Sequence, residues 1–284
     1  MEILVYEPGK GLYEREVSPD YRKEFNIGKA RNILVKAGSD VLLTEDGKID
    51  RETIHHLFEQ MVSLVRKGKR ITYITSGARA AGEDYIGNKA ENMTARALCT
   101  AGQSRLMQVY HEIVGIWPDL VIGQGLLEDK HFQEKYRGSV REGFDEFYRG
   151  CNGIVIVNAN DFTWTGETKY DNDALTANLY KLLKADLAIY LTSVDGLVSG
   201  LGTENERLVN LVYGINTGIY RLIVDSKSIK GTGGLETKLR KGIKRILDQR
   251  GKAIIANGKK ENVILDILEG KSIGTFFTSV GDHN

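Results

Sequence analysis

The chain has 284 residues, 41% of them hydrophobic and 27% charged, so it can bury one large core or two modest ones. Its formal net charge of +1 is spread without a basic or acidic block, and no apolar run approaches the about 20 residues of a membrane span, so we expect neither a nucleic-acid partner nor a membrane. Two cysteines, Cys99 and Cys151, offer no disulfide framework and no metal-ligand spacing, and the start lacks the segments of a signal peptide, which together favour a cytoplasmic protein.

Short apolar runs alternate with amphipathic segments from residue 33 onward, whereas residues 1–28 are mixed and charged. We interpret 1–28 as an N-terminal extension and 29–284 as a single domain. The apolar runs predict strands at 33–35, 71–75, 120–122, 154–157, 187–192, 253–256 and 273–278. The amphipathic segments predict helices at 54–65, 95–114, about 129–148, from about 172, 235–247 and 263–268. Strands that are apolar throughout and separated by helices are typical of an α/β protein with a mainly parallel sheet covered on both faces.

Polar side chains follow four of the predicted strands at the point where each strand ends. They are Lys36, Ser76, Asn158 and Thr192. In open α/β sheets the carboxyl ends of the strands form the edge where ligands bind. We therefore expect the functional site at this edge.

An acidic and amide cluster, Asp171-Asn172-Asp173, stands where a helical apolar pattern begins. A short side-chain oxygen at that position caps the helix by accepting a backbone N–H of the first turn. One cap needs one such residue, and here there are three. The surplus indicates a place where cations or polar substrate groups are held, although a capped helix with a solvated start is the alternative.

Small-residue turns accompany two lysines of the chain. Lys36 is followed by Gly38, and the glycine loop Gly231-Thr232-Gly233-Gly234 is followed by Lys238. Ser76-Gly77-Ala78 forms a third turn of this kind, although no P-loop motif is present. Each feature alone is also compatible with a sheet-edge lysine, a helix start or a linker. Together with the aspartates they fit phosphoryl transfer, which requires charge neutralisation and alignment more than covalent chemistry.

Seven short motifs in one order give the chain a family resemblance that runs from about residue 33 to residue 278. They are Val35-Lys36-x-Gly38, Thr75-Ser76-Gly77-Ala78, Gly102-Gln103-Ser104-Arg105-Leu106, Asn158-x-Asn160-Asp161, Asp171-Asn172-Asp173-x-Leu175, Thr192-x-x-Asp195-Gly196-Leu197 and Gly231-Thr232-Gly233-Gly234-x-x-Thr237-Lys238. With this set the chain resembles the amino-acid-kinase family, and most closely its glutamate 5-kinase branch.

The resemblance implies a three-layer αβα sandwich of the carbamate-kinase-like type, with amino-acid substrate over the N-terminal half and ATP over the C-terminal half. The implied reaction is the ATP-dependent phosphorylation of the side-chain carboxylate of L-glutamate, the first step of proline biosynthesis. Mg²⁺ would be carried by ATP, with no metal site made by protein side chains. The resemblance also implies a homodimer or homotetramer, with the predicted helix 95–114 as the candidate contact. It ends before the C-terminal PUA domain that many members carry, which we expect this chain to lack.

The resemblance assigns roles to individual positions of this sequence. The catalytic residues would be Lys36, Lys238 and Asp173, with Asp173 organising the two lysines. Glutamate would be held by Ser76, Gly77, Asp161, Asp171 and Asn172. The nucleotide would be bordered by Gly38, Thr192, Ser193, Asp195, Gly196, Leu197, Gly231, Thr232, Gly233, Gly234 and Lys238.

The sequence also departs from the pattern of the family. Where members usually carry Lys-Leu-Gly-Thr/Ser-Ser, this chain reads Lys36-Ala37-Gly38-Ser39-Asp40, which places a carboxylate near the phosphate turn. The usual Thr-Asp reads Thr192-Ser193, the usual Asn-Glu-Asn-Asp reads Asn158-Ala159-Asn160-Asp161, and residues 128–143 fit poorly. Two alternatives therefore stay open: a kinase for another small carboxylate or carbamate, and a nucleotide- or amino-acid-binding regulatory homologue.

Overall fold

A computed structural model describes residues 1–163, 171–224 and 232–279 of the chain. The strands are β1 (Glu2–Glu7), β2 (Gly11–Glu16), β3 (Asn32–Ala37), β4 (Arg70–Ile74), β5 (Val121–Leu127), β6 (Gly153–Ala159), β7 (Leu187–Thr192), β8 (Val198–Ser199), β9 (Arg207–Tyr213), β10 (Ala253–Asn257) and β11 (Thr275–Thr278). The α-helices are α1 (Ser39–Leu42), α2 (Arg51–Arg66), α3 (Ala78–Ile86), α4 (Ala95–Val114), α5 (Glu134–Gly150), α6 (Asn172–Leu183), α7 (Thr217–Val224), α8 (Thr232–Thr237), α9 (Lys244–Leu247) and α10 (Val263–Leu268). A π-helical segment, Lys238–Ile243, joins α8 to α9.

The strands form one sheet in the order β2-β1-β9-β11-β10-β7-β3-β4-β6-β5. The short strand β8 lies outside this order and pairs antiparallel with β9. Strands β10, β7, β3, β4, β6 and β5 run parallel to one another. The chain leaves β3 toward β4, β6 and β5 on one side, while β7 and β10 lie on the other side. The order therefore reverses between β3 and β7, and in open α/β sheets ligands bind outside the strand ends at such a switch point.

Two apolar cores lie on opposite faces of the sheet. Successive residues of β3 alternate between them: Ile33 and Val35 pack in one core and Leu34 in the other. The first core contains the apolar faces of α2, α4 and α10, and the second contains those of α6 and the π-helical segment. Because strand side chains point alternately to the two faces, a strand that is apolar throughout needs both covers. The predicted three-layer αβα sandwich with a mainly parallel sheet is confirmed.

The first 28 residues, which the sequence pattern set apart from the repeat, contribute two strands to the sheet. Strand β1 pairs antiparallel with β2 and parallel with β9. The pairing with β9 shifts register between Leu4 and Val5, and there the Asn210 side chain accepts a 3.1 Å hydrogen bond from the Leu4 amide. Neither β1 nor β9 is among the predicted strands: the apolar run of β1 lies in the segment interpreted as an extension, and the run of β9 is interrupted by Asn210. No helix of the described residues is long and apolar enough to cross a membrane.

Arg22 fastens the N-terminal segment to the sheet. Its side chain is fully buried, and its guanidinium donates to four backbone carbonyls, those of Asn210, Lys271, Ile273 and Gly274. Burial lowers the pKa of Arg22, and the neighbouring Tyr21 hydroxyl acts against that shift. The guanidinium thus supplies the hydrogen bonds that these buried carbonyls can no longer accept from water.

Replacing Arg22 with methionine should lower the free energy of unfolding by roughly 2–5 kcal/mol, because the carbonyls would be left buried without donors. The measurement is urea unfolding followed by circular dichroism. The matched control is Lys23→Met, since Lys23 pairs with Asp20 at 2.7 Å on the exposed surface and should leave the unfolding free energy almost unchanged. Equal effects from the two variants would contradict this account of Arg22.

Candidate active site

A buried ion pair lies at the switch point. Lys36 is the fifth residue of β3, and its Nζ lies 2.9 Å from Asp173 Oδ1 in the first turn of α6. The two side chains are only 6% and 8% exposed. Burying two charges is unfavourable unless they are paired, so this contact fixes the end of β3 against the start of α6.

Lys238 is the first residue of the π-helical segment and is also buried. Its Nζ lies 3.5 Å from the carbonyl oxygen of Gly234, one turn earlier. Burial lowers the pKa of Lys238, the charge of Lys36 lowers it further, and Asp173 and Asp40 act in the opposite direction. Isolated π turns are rare and are often found at functional sites. The structure therefore brings Lys36, Lys238 and Asp173 into one electrostatic cluster.

Asn172 anchors a polar network between α6 and the end of β4. Its Nδ2 donates to the Thr75 carbonyl at 2.8 Å, to Asn158 Oδ1 at 3.0 Å and to Ser76 Oγ at 3.4 Å. Its Oδ1 is buried and accepts no hydrogen bond from the residues that the structure describes. Gly77 follows with φ +94°, a conformation that favours glycine, and there the chain turns into α3. The site therefore offers an acceptor oxygen close to Ser76.

Gln103 of α4 joins this network to Asp161. Its Nε2 lies 3.2 Å from Asp161 Oδ2, and its Oε1 accepts from Asn158 Nδ2 at 3.4 Å. Gln103 belongs to the motif at 102–106, and the resemblance assigns it no role. It is a buried polar residue among the apolar positions Leu98 and Leu106 of the same helix, and that break in the apolar pattern is the signal that marks it.

Asp171 has two structural partners. Its side chain caps α6 by accepting the Asp173 amide at 2.8 Å, and its Oδ2 lies 3.0 Å from Lys241 Nζ in the π-helical segment. These contacts hold the first turn of α6 against the helix that carries Lys238. Asp171 therefore has a structural role, as a helix cap and ion-pair partner, that does not require contact with a substrate.

The segment that fits the family pattern poorly begins at the same edge of the sheet. Glu128 follows β5 and is buried; its Oε1 accepts from Asn160 Nδ2 at 2.8 Å, and its Oε2 lies 2.8 Å from Lys130 Nζ. Burial acts to raise the pKa of Glu128, but hydrogen bonds from Lys130, Thr163 and Asn160 bring it below its usual value. A charged carboxylate therefore supports the loop that carries Asp161.

A cavity of about 470 Å³ opens beside the end of β7. Its lining includes Ser193, Asp195, Gly196, Leu197, Leu235 and Asn257. Asp195 is held by Asn257 Nδ2 at 3.0 Å and by Lys260 Nζ at 2.6 Å. The volume of the cavity is typical of small-molecule sites, and the predicted nucleotide residues 193–197 form one wall of the cavity.

The other residues predicted to border the nucleotide lie in the turn after β3 and at α8. Gly38 lies at the turn between β3 and α1, where a Cβ atom would lie 2.2 Å from Asp40 Oδ1, so glycine leaves room for that carboxylate. Thr232, Gly233 and Gly234 belong to α8. Gly231 lies outside the described residues, and the side chain of Thr232 is likewise not described.

Known proteins resemble this chain both in sequence and in fold. Residues 31–257 match the sequence profile of the amino acid kinase family. The chain is 32% identical over 268 residues to the glutamate 5-kinase of Enterococcus faecalis, covering 91% of this chain and 98% of that protein. It is 34% identical over 259 residues to the glutamate 5-kinase of Alkaliphilus metalliredigens, covering 88% and 97% respectively. Among solved structures, carbamate kinase from Giardia lamblia bound to AMP-PNP shares the fold with a TM-score of 0.58 at 17% identity, over 89% of this chain and 99% of that one.

Proposed function

Because this chain belongs to the amino acid kinase family, we propose that it transfers the γ-phosphoryl group of ATP to the side-chain carboxylate of L-glutamate. The products are L-glutamyl 5-phosphate and ADP, and the reaction is the first step of proline biosynthesis. The observation that carries the proposal is the buried Lys36–Asp173 pair with Lys238 beside it, at the switch point of the sheet. The glutamate 5-kinase relatives, identical at about a third of their positions, support glutamate as acceptor.

The chemistry of this reaction suits such a site. A carboxylate oxygen of glutamate attacks the γ-phosphorus, an O–P bond forms, and the bond from phosphorus to the β,γ-bridging oxygen breaks. The carboxylate is already ionised at neutral pH, so the step requires no general base. Both reactants are anionic, and their repulsion is the main obstacle. Lys36 and Lys238 supply positive charge to the oxygens of the transferring group, in a buried place where that charge acts strongly.

ATP is assigned to the side of the sheet beyond β7. The cavity there has room for a nucleoside, and its wall at 193–197 begins directly after the end of β7. Mg²⁺ prefers to bind through phosphate oxygens and water with one or two carboxylates. The cluster of possible metal ligands found in the described residues, His55, His56 and Glu59, lies on α2. We infer that Mg²⁺ enters with ATP, bound through its phosphate oxygens.

Glutamate is assigned to the side of β4 and β6. The buried Asn172 Oδ1 is an acceptor suited to an ammonium group, and Asp161 supplies a carboxylate on the same side. Ser76 and the backbone turn at Gly77 supply donors suited to the reacting carboxylate. With this division the side chain of glutamate would point toward Lys36 and Lys238.

The direct test is turnover by the purified chain with MgATP and a panel of acids. Hydroxylamine in the assay converts an acyl phosphate into a hydroxamate, which is measured by its colour with iron. We expect glutamate-dependent hydroxamate in amounts equal to ADP. Turnover with another acid in place of glutamate would change the acceptor, and ATP binding without turnover by any acid would favour the regulatory alternative.

Lys238→Ala should lower kcat by on the order of 100-fold or more, because the transition state loses a charged partner, and Lys36→Ala should act alike. Steady-state kinetics with saturating ATP and glutamate give kcat directly. Lys244→Ala is the matched control: it removes a lysine of the same helix that pairs with Asp248 at 2.9 Å on the exposed surface. A change within about twofold for Lys238→Ala would place this lysine outside the chemistry.

Asp161→Asn and Asp173→Asn should affect different constants. Weakening a charge-assisted bond to the ammonium costs roughly 1.5–3 kcal/mol, so Asp161→Asn should raise the KM for glutamate on the order of 10- to 100-fold and leave that for ATP nearly unchanged. Asp173→Asn should lower kcat, because Asp173 holds Lys36 rather than the substrate. Varying ATP and glutamate in turn separates the two cases. If both substitutions alter the same constant equally, the assignment of the glutamate side is wrong.

A further inference from the structure

One carboxylate, that of Asp40, ties together the ends of two neighbouring strands. Asp40 lies in α1, directly after the turn that ends β3. Its Oδ2 accepts hydrogen bonds from Thr192 Oγ1 at 2.7 Å, from the Ser193 backbone nitrogen at 2.9 Å and from Ser193 Oγ at 3.1 Å. Thr192 is the last residue of β7, which pairs with β3 in the sheet. We call this set of three hydrogen bonds the Asp40 clamp.

Asp40 also acts on Lys238 through its charge. Partial burial tends to raise the pKa of Asp40, but hydrogen bonds from Thr192 and Ser193 and the charge of Lys238 bring it below its usual value. Asp40 is therefore ionised at neutral pH. In return, Asp40 is one of the charges that keep the lowered pKa of Lys238 from falling further.

The other carboxylates around Lys238 already have lysine partners. Asp173 pairs with Lys36 at 2.9 Å and Asp171 pairs with Lys241 at 3.0 Å. Among the residues that the structure describes, Asp40 has no such ion pair within 4.0 Å and is bonded by the neutral donors of the clamp. Asp40 therefore acts on Lys238 together with Asp173 and Asp171, and it is the one of the three without a lysine partner among the described residues.

The clamp accounts for two departures from the family pattern at once. The family pattern on which the resemblance rests has serine at the position of Asp40 and aspartate at the position of Ser193, and this chain carries the reverse. The two residues touch, with Ser193 Oγ at 3.1 Å from Asp40 Oδ2. The exchange therefore keeps one carboxylate and one hydroxyl at the contact between the two turns and moves the carboxylate from the β7 side to the β3 side.

We propose that Asp40 is a positioning residue of the phosphoryl-transfer site: it fixes the turn after β7 against the turn after β3 and places there a negative charge that acts on Lys238. The inference rests on the proposed function in that the consequence for rate requires phosphoryl transfer. The clamp and the charge of Lys238 are properties of the chain by itself.

The first test is the pH dependence of kcat in Asp40→Asn and Asp40→Ser. The charged groups that face Lys238 are Lys36 on β3, Asp40 on α1, and Asp171 and Asp173 on α6. Removing the negative charge of Asp40 lowers the pKa of Lys238, so the alkaline limb of the profile should move to lower pH by about 0.5–1 unit, with kcat at neutral pH falling on the order of 10-fold. Asp46→Asn, an exposed aspartate of the loop after α1 that pairs with Lys48, is the control and should leave the limb in place.

The second test restores the arrangement of the relatives. Ser193→Asp alone sets two carboxylates against each other and should lower kcat. In Asp40→Ser/Ser193→Asp the carboxylate returns from the other side, and kcat and the alkaline limb should come back to within about threefold and about 0.3 pH unit of the parent chain. If the double variant is as impaired as the product of the single ones, the two positions are independent and the proposal is overturned.

Two measurements that need no turnover separate this proposal from the proposed function. Amide hydrogen exchange at Ser193 should accelerate in Asp40→Ser, since its N–H loses the carboxylate acceptor. Competitive acetylation with acetic anhydride, read by mass spectrometry across pH, should report a lower pKa for Lys238 in Asp40→Asn and Asp40→Ser. If the parent chain fails to phosphorylate glutamate and these two results still hold, only the proposed function falls. If turnover is present and Lys238 labels identically in parent and variants, Asp40 is not its counter-charge.

Discussion

The ion pair between Lys36 and Asp173 is the contact on which the arrangement of the site depends. Its two side chains are almost fully buried and 2.9 Å apart. A buried pair of this kind contributes little net stability, because removing two ions from water costs about as much as their attraction returns. Its value lies in geometry: breaking either partner leaves a buried charge, so the end of β3 and the start of α6 have one acceptable relative position. The other polar contacts of the edge are built around that position.

The charged residues of the site lie in segments that are far apart along the chain. Lys36 lies on β3, Asp173 on α6, and Lys238 in a helix that contains a π-helical segment. Asp171 then connects α6 to that helix by capping the one and pairing with Lys241 of the other. Since parallel strands place their carboxyl ends at a common edge, the sheet order brings Lys36, Asp173 and Lys238 together although they are far apart in the sequence.

The central part of the fold could be predicted because its physical signals are local. Strands β3, β4, β6 and β7 are apolar throughout, and polar residues begin where they end, so the site edge and Lys36 followed from the pattern. Strands β1 and β9 could not be predicted in the same way, since their pairing depends on partners about 200 residues away. Gln103 was visible as a polar residue among apolar helix positions, but its bonds to Asp161 and Asn158 depend on how α4 packs. The partners of Asp40, across the switch point from it, are equally beyond a local pattern.

The two lysines of the edge are held in different ways, and the difference suits the phosphoryl transfer that we propose for them. Lys36 is fixed by direct contact with a carboxylate, so its position is set before any substrate arrives. Lys238 has a 3.5 Å contact with a neutral carbonyl oxygen, and its proton is favoured by carboxylates that are bonded elsewhere. A lysine in a short ion pair would have to give up its carboxylate partner to bind a phosphate oxygen. The loss of that contact would offset part of the free energy gained from the new one. A lysine kept charged from a distance can direct its hydrogen bonds to the phosphoryl oxygens as their charge develops, and interactions that strengthen only at that stage are the ones that raise kcat.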